Sequence, residues 1–135
     1  MATQLSVSVR NAMLDSIETT IGTSAILKIR TGAPPATCAT ADSGTVLATC
    51  NLPSDYMANA SSGSKAKSGT WDDSSADAAG TAGHYRIYDS TGTTCHLQGT
   101  ITATGGGGDM TLDNTVLAAG QQFTITSYTL TAGNS

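Results

Sequence analysis

Charge and aromatic rings are what this sequence has least of. Only 12% of its 135 residues are Asp, Glu, Lys or Arg, about half the share usual in soluble domains. Aromatics make up 4%: Tyr56, Trp71, Tyr85, Tyr88, Phe123 and Tyr128. Disordered chains combine low hydrophobicity with high charge, so a weakly charged chain that is 39% hydrophobic fits them poorly. Six Lys and Arg stand against ten Asp and Glu, for a net charge of -4. Lys65 and Lys67 are the only close basic pair. A nucleic-acid binder needs a cluster of basic residues to displace counterions from phosphates, so no nucleic-acid partner is expected.

No run approaches the roughly 18 apolar residues of a membrane helix. The segment Met1–Leu5 lacks the basic-then-apolar order of a secretory signal. A soluble chain made in a cytoplasm, with no membrane partner, is the expectation. Cysteine is scarce and odd in number: Cys38, Cys50 and Cys95, with no CxxC spacing and no histidine placed to complete a zinc site. A Cys38–Cys50 disulfide requires the two on neighbouring strands. Otherwise all three are small buried hydrophobes, reduced in the cytoplasm.

The deficit in charge and rings is filled by Thr, Ser, Ala and 15 Gly. Small side chains, weakly charged faces and many turns describe a β-rich body, and the length suits one domain, 1–135. The first segment is the exception. Val9, Met13, Ile17 and Ile21 recur every four residues with Leu14 beside them, which predicts an amphipathic helix over about 6–21. Ser6 or Ser8 can cap its start and Gly22 can end it. Val9, Met13 and Ile17 are expected to dock this helix onto the sheet.

From about 24 to 131 the period is two. Ala25, Leu27 and Ile29 alternate with Ile26, Lys28 and Arg30 until Gly32 and Pro34–Pro35 break the strand. A second strand runs over 45–52. Residues 57–83, rich in Ala, Ser, Gly and Asp, read as a long loop region with one short strand around 65–71. Residues 83–89 and 94–103 form a hairpin. Its alternation, with Cys95, Leu97, Gly99, Ile101 and Ala103 on one face, predicts a sheet with one solvated side. Residues 110–112 and 122–130 complete the strands, the last with a change of face near Ser127 that a bulge would explain. The expected fold is mainly β, an antiparallel β-sandwich or small, jelly-roll-like barrel with one N-terminal helix. Its core is expected to hold Leu27, Ile29, Ile87, Leu97, Ile101, Phe123 and Ile125.

The chain offers little for chemistry. The run Gly105–Gly108 is followed by Asp109, which would repel phosphate, and not by the Lys of a P-loop. The calcium repeat GGxGxD fails at Met110. His84 and His96, on the two arms of the hairpin, could face one another near Asp89, but spacing fixes no third metal ligand. Cys95 and His96 point to opposite faces of a strand, which disfavours a nucleophile pair. Asp72, Asp73 and Asp77 beside Trp71 make an acidic turn without the opposed carboxylates of a glycosidase. No catalytic residue, metal or cofactor is expected.

Six stretches carry a resemblance: RNAMLDSIETTIG at 10–22, LKIRTGAPP at 27–35, LPSDYM at 52–57, GTAGHYRIYDS at 80–90, TCHLQGT at 94–100 and GGGGDMTLDN at 105–114. On these the chain resembles a group of small virion-associated proteins of tailed bacteriophages and prophages. The likeness spans nearly the whole chain, on framework strands and turns. It implies a structural, non-enzymatic role in the particle. The leading expectation is a capsid decoration or cement protein on the outside of the shell. Its partners would be the major capsid protein and further copies of itself, as a dimer or trimer, after synthesis in the bacterial host cytoplasm. The second is a tail or fibre component that recognises a host surface through loop 57–83, with Tyr56 and Trp71 as anchors. A small hydrolase ranks a distant third. Val9, Met13, Lys65, Lys67 and Trp71 are the candidate partner-interface residues, and the segment Ala2–Val7 is a candidate arm toward a neighbouring subunit.

Overall fold

A computed structural model describes residues 3–133; Ala2, part of the expected arm, lies outside the described residues. The architecture is mainly β, with one short N-terminal helix and a curled, antiparallel-rich sheet, in keeping with the β-sandwich or small barrel read from the sequence.

Helix α1 spans Val7–Ile21. Ser6 caps it by accepting the Val9 amide hydrogen, and Gly22, at φ 93°, closes it with a backbone bond to the Glu18 carbonyl. Both ends match the sequence reading, but the docked face does not. Leu14 and Ile21 are buried, whereas Val9 and Met13 are 45% and 50% exposed. The reason is helical pitch. At about 100° per residue, a four-residue repeat precesses by about 40° per step, so Val9 and Ile21 lie about 120° apart. Ile17 and Ile21 reach the core; Val9 and Met13 rotate out of it.

The main sheet runs in the order β2-β1-β5-β6-β7, with β8 also paired to β5. Its strands are β1 (Ile26–Thr31), β2 (Val46–Asn51), β5 (Gly80–Tyr88), β6 (Cys95–Ala103), β7 (Met110–Leu112) and β8 (Val116–Leu117). Leu27 and Ile29 of β1 pair with Ile87 and Tyr85 of β5 and point into the core. β6 and β7 are parallel, Ile101 opposite Met110, with only residues 104–109 between them. Gly105 and Gly107, at φ 89° and 81°, turn the chain back that sharply.

Residues 57–83 hold more strand than the one short piece read from the sequence. They contain β3 (Ser64–Ala66) and β4 (Trp71–Asp73). β3 pairs with β10 (Thr129–Thr131) and β4 with β9 (Phe123–Ile125), making two short ribbons. Met57, Trp71 and Ala76 belong to the core. The change of face near Ser127 is therefore not a bulge: the chain leaves β9 and starts β10 against a different partner.

The core gathers the expected Leu27, Ile29, Ile87, Ile101, Phe123 and Ile125, with Leu97 packed at its margin. It also takes in rings scattered along the chain. Trp71 lies 6.3 Å from Tyr56 and 5.7 Å from Tyr128, and Tyr128 meets Tyr85 edge-on at 5.4 Å. Tilted and edge-on geometries place ring edges against ring faces, the favourable arrangement for their quadrupoles. The Tyr85 and Tyr128 hydroxyls hydrogen-bond each other, which satisfies two polar atoms that burial would otherwise strand.

Candidate functional site

The second face of the main sheet is the largest departure from the sequence reading. Alternation predicts a solvated side, yet His84, Arg86 and Arg30 are 0%, 2% and 6% exposed. Residues 32–45, the connection between β1 and β2, fold back across this face as a strap. Gly83 makes the close approach possible, since a Cβ there would stand 2.3 Å from the Gly32 carbonyl oxygen.

Arg86 is the peg on which the strap hangs. Its Nη2 donates to the carbonyls of Thr37, Cys38 and Thr40, each at 3.0 Å. Its Nε donates to Gln98 Oε1, and Gln98 Nε2 in turn donates to the Pro35 carbonyl. Its Nη1 meets Asp42 Oδ1. Asp42 also accepts from Tyr88 at 2.6 Å and from Arg30 at 3.0 Å. Burial works to raise the Asp42 carboxyl, but the Tyr88 and Arg86 hydrogen bonds and the two arginine charges outweigh it and hold it below its ordinary value. His84 Nδ1 lies 2.8 Å from the Gly32 carbonyl, and its Nε2 has no partner. Burial, and then the charges of Arg30 and Arg86, push the imidazole below its usual value against the pull of the Gly32 contact. Asp42 and Arg86 are engaged by one another and by the strap, so the cluster works as a clasp, with His84 Nε2 and Arg30 Nε left unpaired within it.

A second polar cluster fixes α1. Lys65, 2% exposed, reaches Asp15 at 2.7 Å and Glu18 at 3.0 Å. Asp15 also accepts the Ala60 amide hydrogen, Asn11 accepts that of Gly63, and Arg10 donates to the Ala132 carbonyl. Burial tends to lower Lys65, and its bonds to Asp15 and Glu18 reverse that and raise it. Asp15, Glu18 and Lys65 line a cleft of about 490 Å³ with Ser54, Asp55 and Asn59. Its one buried cation is fully engaged.

The sequence candidates thus separate. Trp71 is 0% exposed and donates its indole hydrogen to the Tyr56 carbonyl, and Lys65 is the buried partner of α1; neither offers itself to a partner surface. The host-recognition reading loses both anchors, since Tyr56 is 1% exposed. Lys67, half-buried, donates to the Gly69 carbonyl and sits 5.8 Å over the Trp71 ring. Val9 and Met13 remain at the surface.

The cysteines are all free. Cys50 is buried on β2, and burial, followed by the charges of Asp73, Asp72 and Asp77, raises its thiol to about 12. Cys38 lies on the strap beside Cys95, so the neighbouring pair is Cys38 with Cys95 and not Cys38 with Cys50. A register shift between Ile87 and Tyr88 puts Cys95 opposite Tyr88, on the strap side and off the face of Leu97 and Ile101. His84 pairs with Thr100 and not with His96; His96 instead lies 3.3 Å from Asp89. Asp73 and Asp77 bind the Thr49 amide and hydroxyl, which fastens the acidic turn to β2. Among the described residues no three His, Cys, Asp or Glu gather as a metal site, and no helix is long and apolar enough to cross a membrane.

No family model matches the chain, and comparison with curated proteins and with solved structures gave no match either.

The strap cluster is what sequence reasoning missed. Its one trace was a long loop carrying an acid, Asp42, after a strand with Arg30 at a polar position, and a second arginine, Arg86, at a polar position of β5.

Proposed function

We propose that this chain is a structural protein of a tailed-bacteriophage virion, a capsid decoration or cement protein that binds the outside of the major shell. The observation that carries the reading is the outward face of α1. Val9 and Met13 are 45% and 50% exposed, while the opposite side of the same helix is fixed by Lys65 and three further polar contacts. A rigidly held helix with an apolar outer stripe suits a repeated contact with the major capsid protein. Under the symmetry of a shell, a modest contact multiplies into a strong one. The net charge of -4 suits a position facing outward, away from packaged DNA. The resemblance over 10–22, 27–35, 52–57, 80–90, 94–100 and 105–114 supports the same role.

The test is copy number in purified virions, measured by quantitative mass spectrometry against the major shell protein. A ratio near one, or a simple fraction of it, is expected. A few copies per particle would move the protein to the tail or a vertex, and absence would end the structural reading. Val9→Ser with Met13→Ser should abolish binding to undecorated particles and leave the melting temperature unchanged, because neither side chain is in the core.

A further inference from the structure

We propose that Cys38 and Cys95 are an oxidative modification site, closing to a disulfide that staples the 32–45 strap to the edge of β6. The Cys38 side chain is a close enough neighbour to act on the Cys95 thiol, and the two meet across one cleft. Both are half-buried and line one open cleft of about 550 Å³ with Thr40, Asp42, Arg86 and Thr93. A small oxidant can therefore reach either sulfur. Arg86 holds the Cys38 carbonyl at 3.0 Å, which keeps the strap end of the pair in place over β6. The bulge opposite Cys95 supplies the other half of the geometry, since without it the thiol would face the core with Leu97.

Closure needs an oxidant, and oxidised glutathione is sufficient. The thiolate of one cysteine attacks the glutathione disulfide, forming a mixed disulfide and releasing one glutathione thiol. The second cysteine then displaces the remaining glutathione, and the new S–S bond joins Cys38 to Cys95. The two protein thiols lose two electrons and two protons, and two reduced glutathiones carry them away. Burial and the Cys38 neighbour raise Cys95 to about 11, so little of its thiolate is present at neutral pH, and a reducing compartment would hold the pair as thiols. Cys50 is a built-in control, being buried and out of reach of both.

The full chain, incubated with excess oxidised glutathione at about pH 8.5 to populate thiolate, should lose two of its three free thiols. Peptide mapping without reductant should recover a Cys38–Cys95 linked peptide, with Cys50 free. The melting temperature should rise by several degrees and return on reduction, because the link shortens the unfolded chain. Cys50→Ser should cross-link like the parent; Cys38→Ser and Cys95→Ser should not. Glutathione adducts on Cys38 or Cys95 without the cross-link, any linkage to Cys50, or three thiols left intact would each overturn the proposal. The wild-type mapping decides the matter even if a variant fails to fold. This inference is independent of the virion role, since it concerns the strap alone.

Discussion

The Asp42 carboxylate closes onto the Arg86 guanidinium across 44 residues of sequence, joining the strap between β1 and β2 to the middle of a sheet. The pair does more than neutralise two charges. With Arg30 and Tyr88 on the same carboxylate, it converts a polar sheet face that would otherwise face water into the interior of a clasp. Few apolar side chains of the strap are buried, so hydrogen bonds and charge hold it where hydrophobic contact does not.

Asp42→Asn should therefore destabilise the fold by about 2–3 kcal/mol. A fully buried pair broken on one side costs about 3–5 kcal/mol, and Asp42, with 36% of its side chain exposed, recovers part of that through solvent. Because the Asp42 carboxyl sits lower in the folded chain than its ordinary value of 3.8, its contribution is present above about pH 4 and is lost as pH falls through the folded value. Urea unfolding across pH 2–6 should show the variant lower on the plateau and flatter in acid. Parallel curves for the two proteins would remove Asp42 from the clasp.

His84 acts at a higher pH. Its folded value lies below the unperturbed 6.5, so the unfolded chain binds a proton first. Stability is complete above about pH 6.5 and is lost as pH falls through the folded value. Between about pH 7 and 5 the wild type should lose stability that His84→Asn retains. Asn keeps a donor for the Gly32 carbonyl and cannot acquire a charge beside Arg30 and Arg86. The same series of unfolding curves measures it, and equal slopes for both proteins would refute the assignment.

Lys65 is the third case. Lys65→Ala should destabilise by about 3 kcal/mol, through the lost ion pairs and the cavity left in a buried position. Lys65→Met should cost less, because it keeps the volume and leaves two carboxylates that reach solvent. Chemical denaturation separates the two, and a Lys65→Ala midpoint equal to wild type would reject a buried anchoring role. Loss of particle binding in Lys65→Ala would report a loosened α1, not a missing surface contact.

Local chemistry determined a good part of this protein from sequence alone. Ser6 and Gly22 end the helix because capping and a positive φ depend on single residues and their immediate neighbours. Alternation in 25–30, 83–89 and 94–103 predicts the strands and which side of β1 enters the core, since a pleated strand alternates its side chains whatever packs against it. What needed tertiary structure was the choice of covering. Nothing local says that Val9 and Met13 rotate out while Leu14 turns in, because that depends on where β3 and Lys65 stand. Trp71 and Tyr56 look like exposed rings in a polar loop until β9 and β10 arrive from the far end of the chain to bury them. Arg30 and Arg86 look like solvated strand residues until the strap folds over them. Which cysteine lies beside Cys38 followed from one register shift in β5, which alternation carries no trace of. Periodicity reports the two sides of each element; only long-range packing decides which of them meets water.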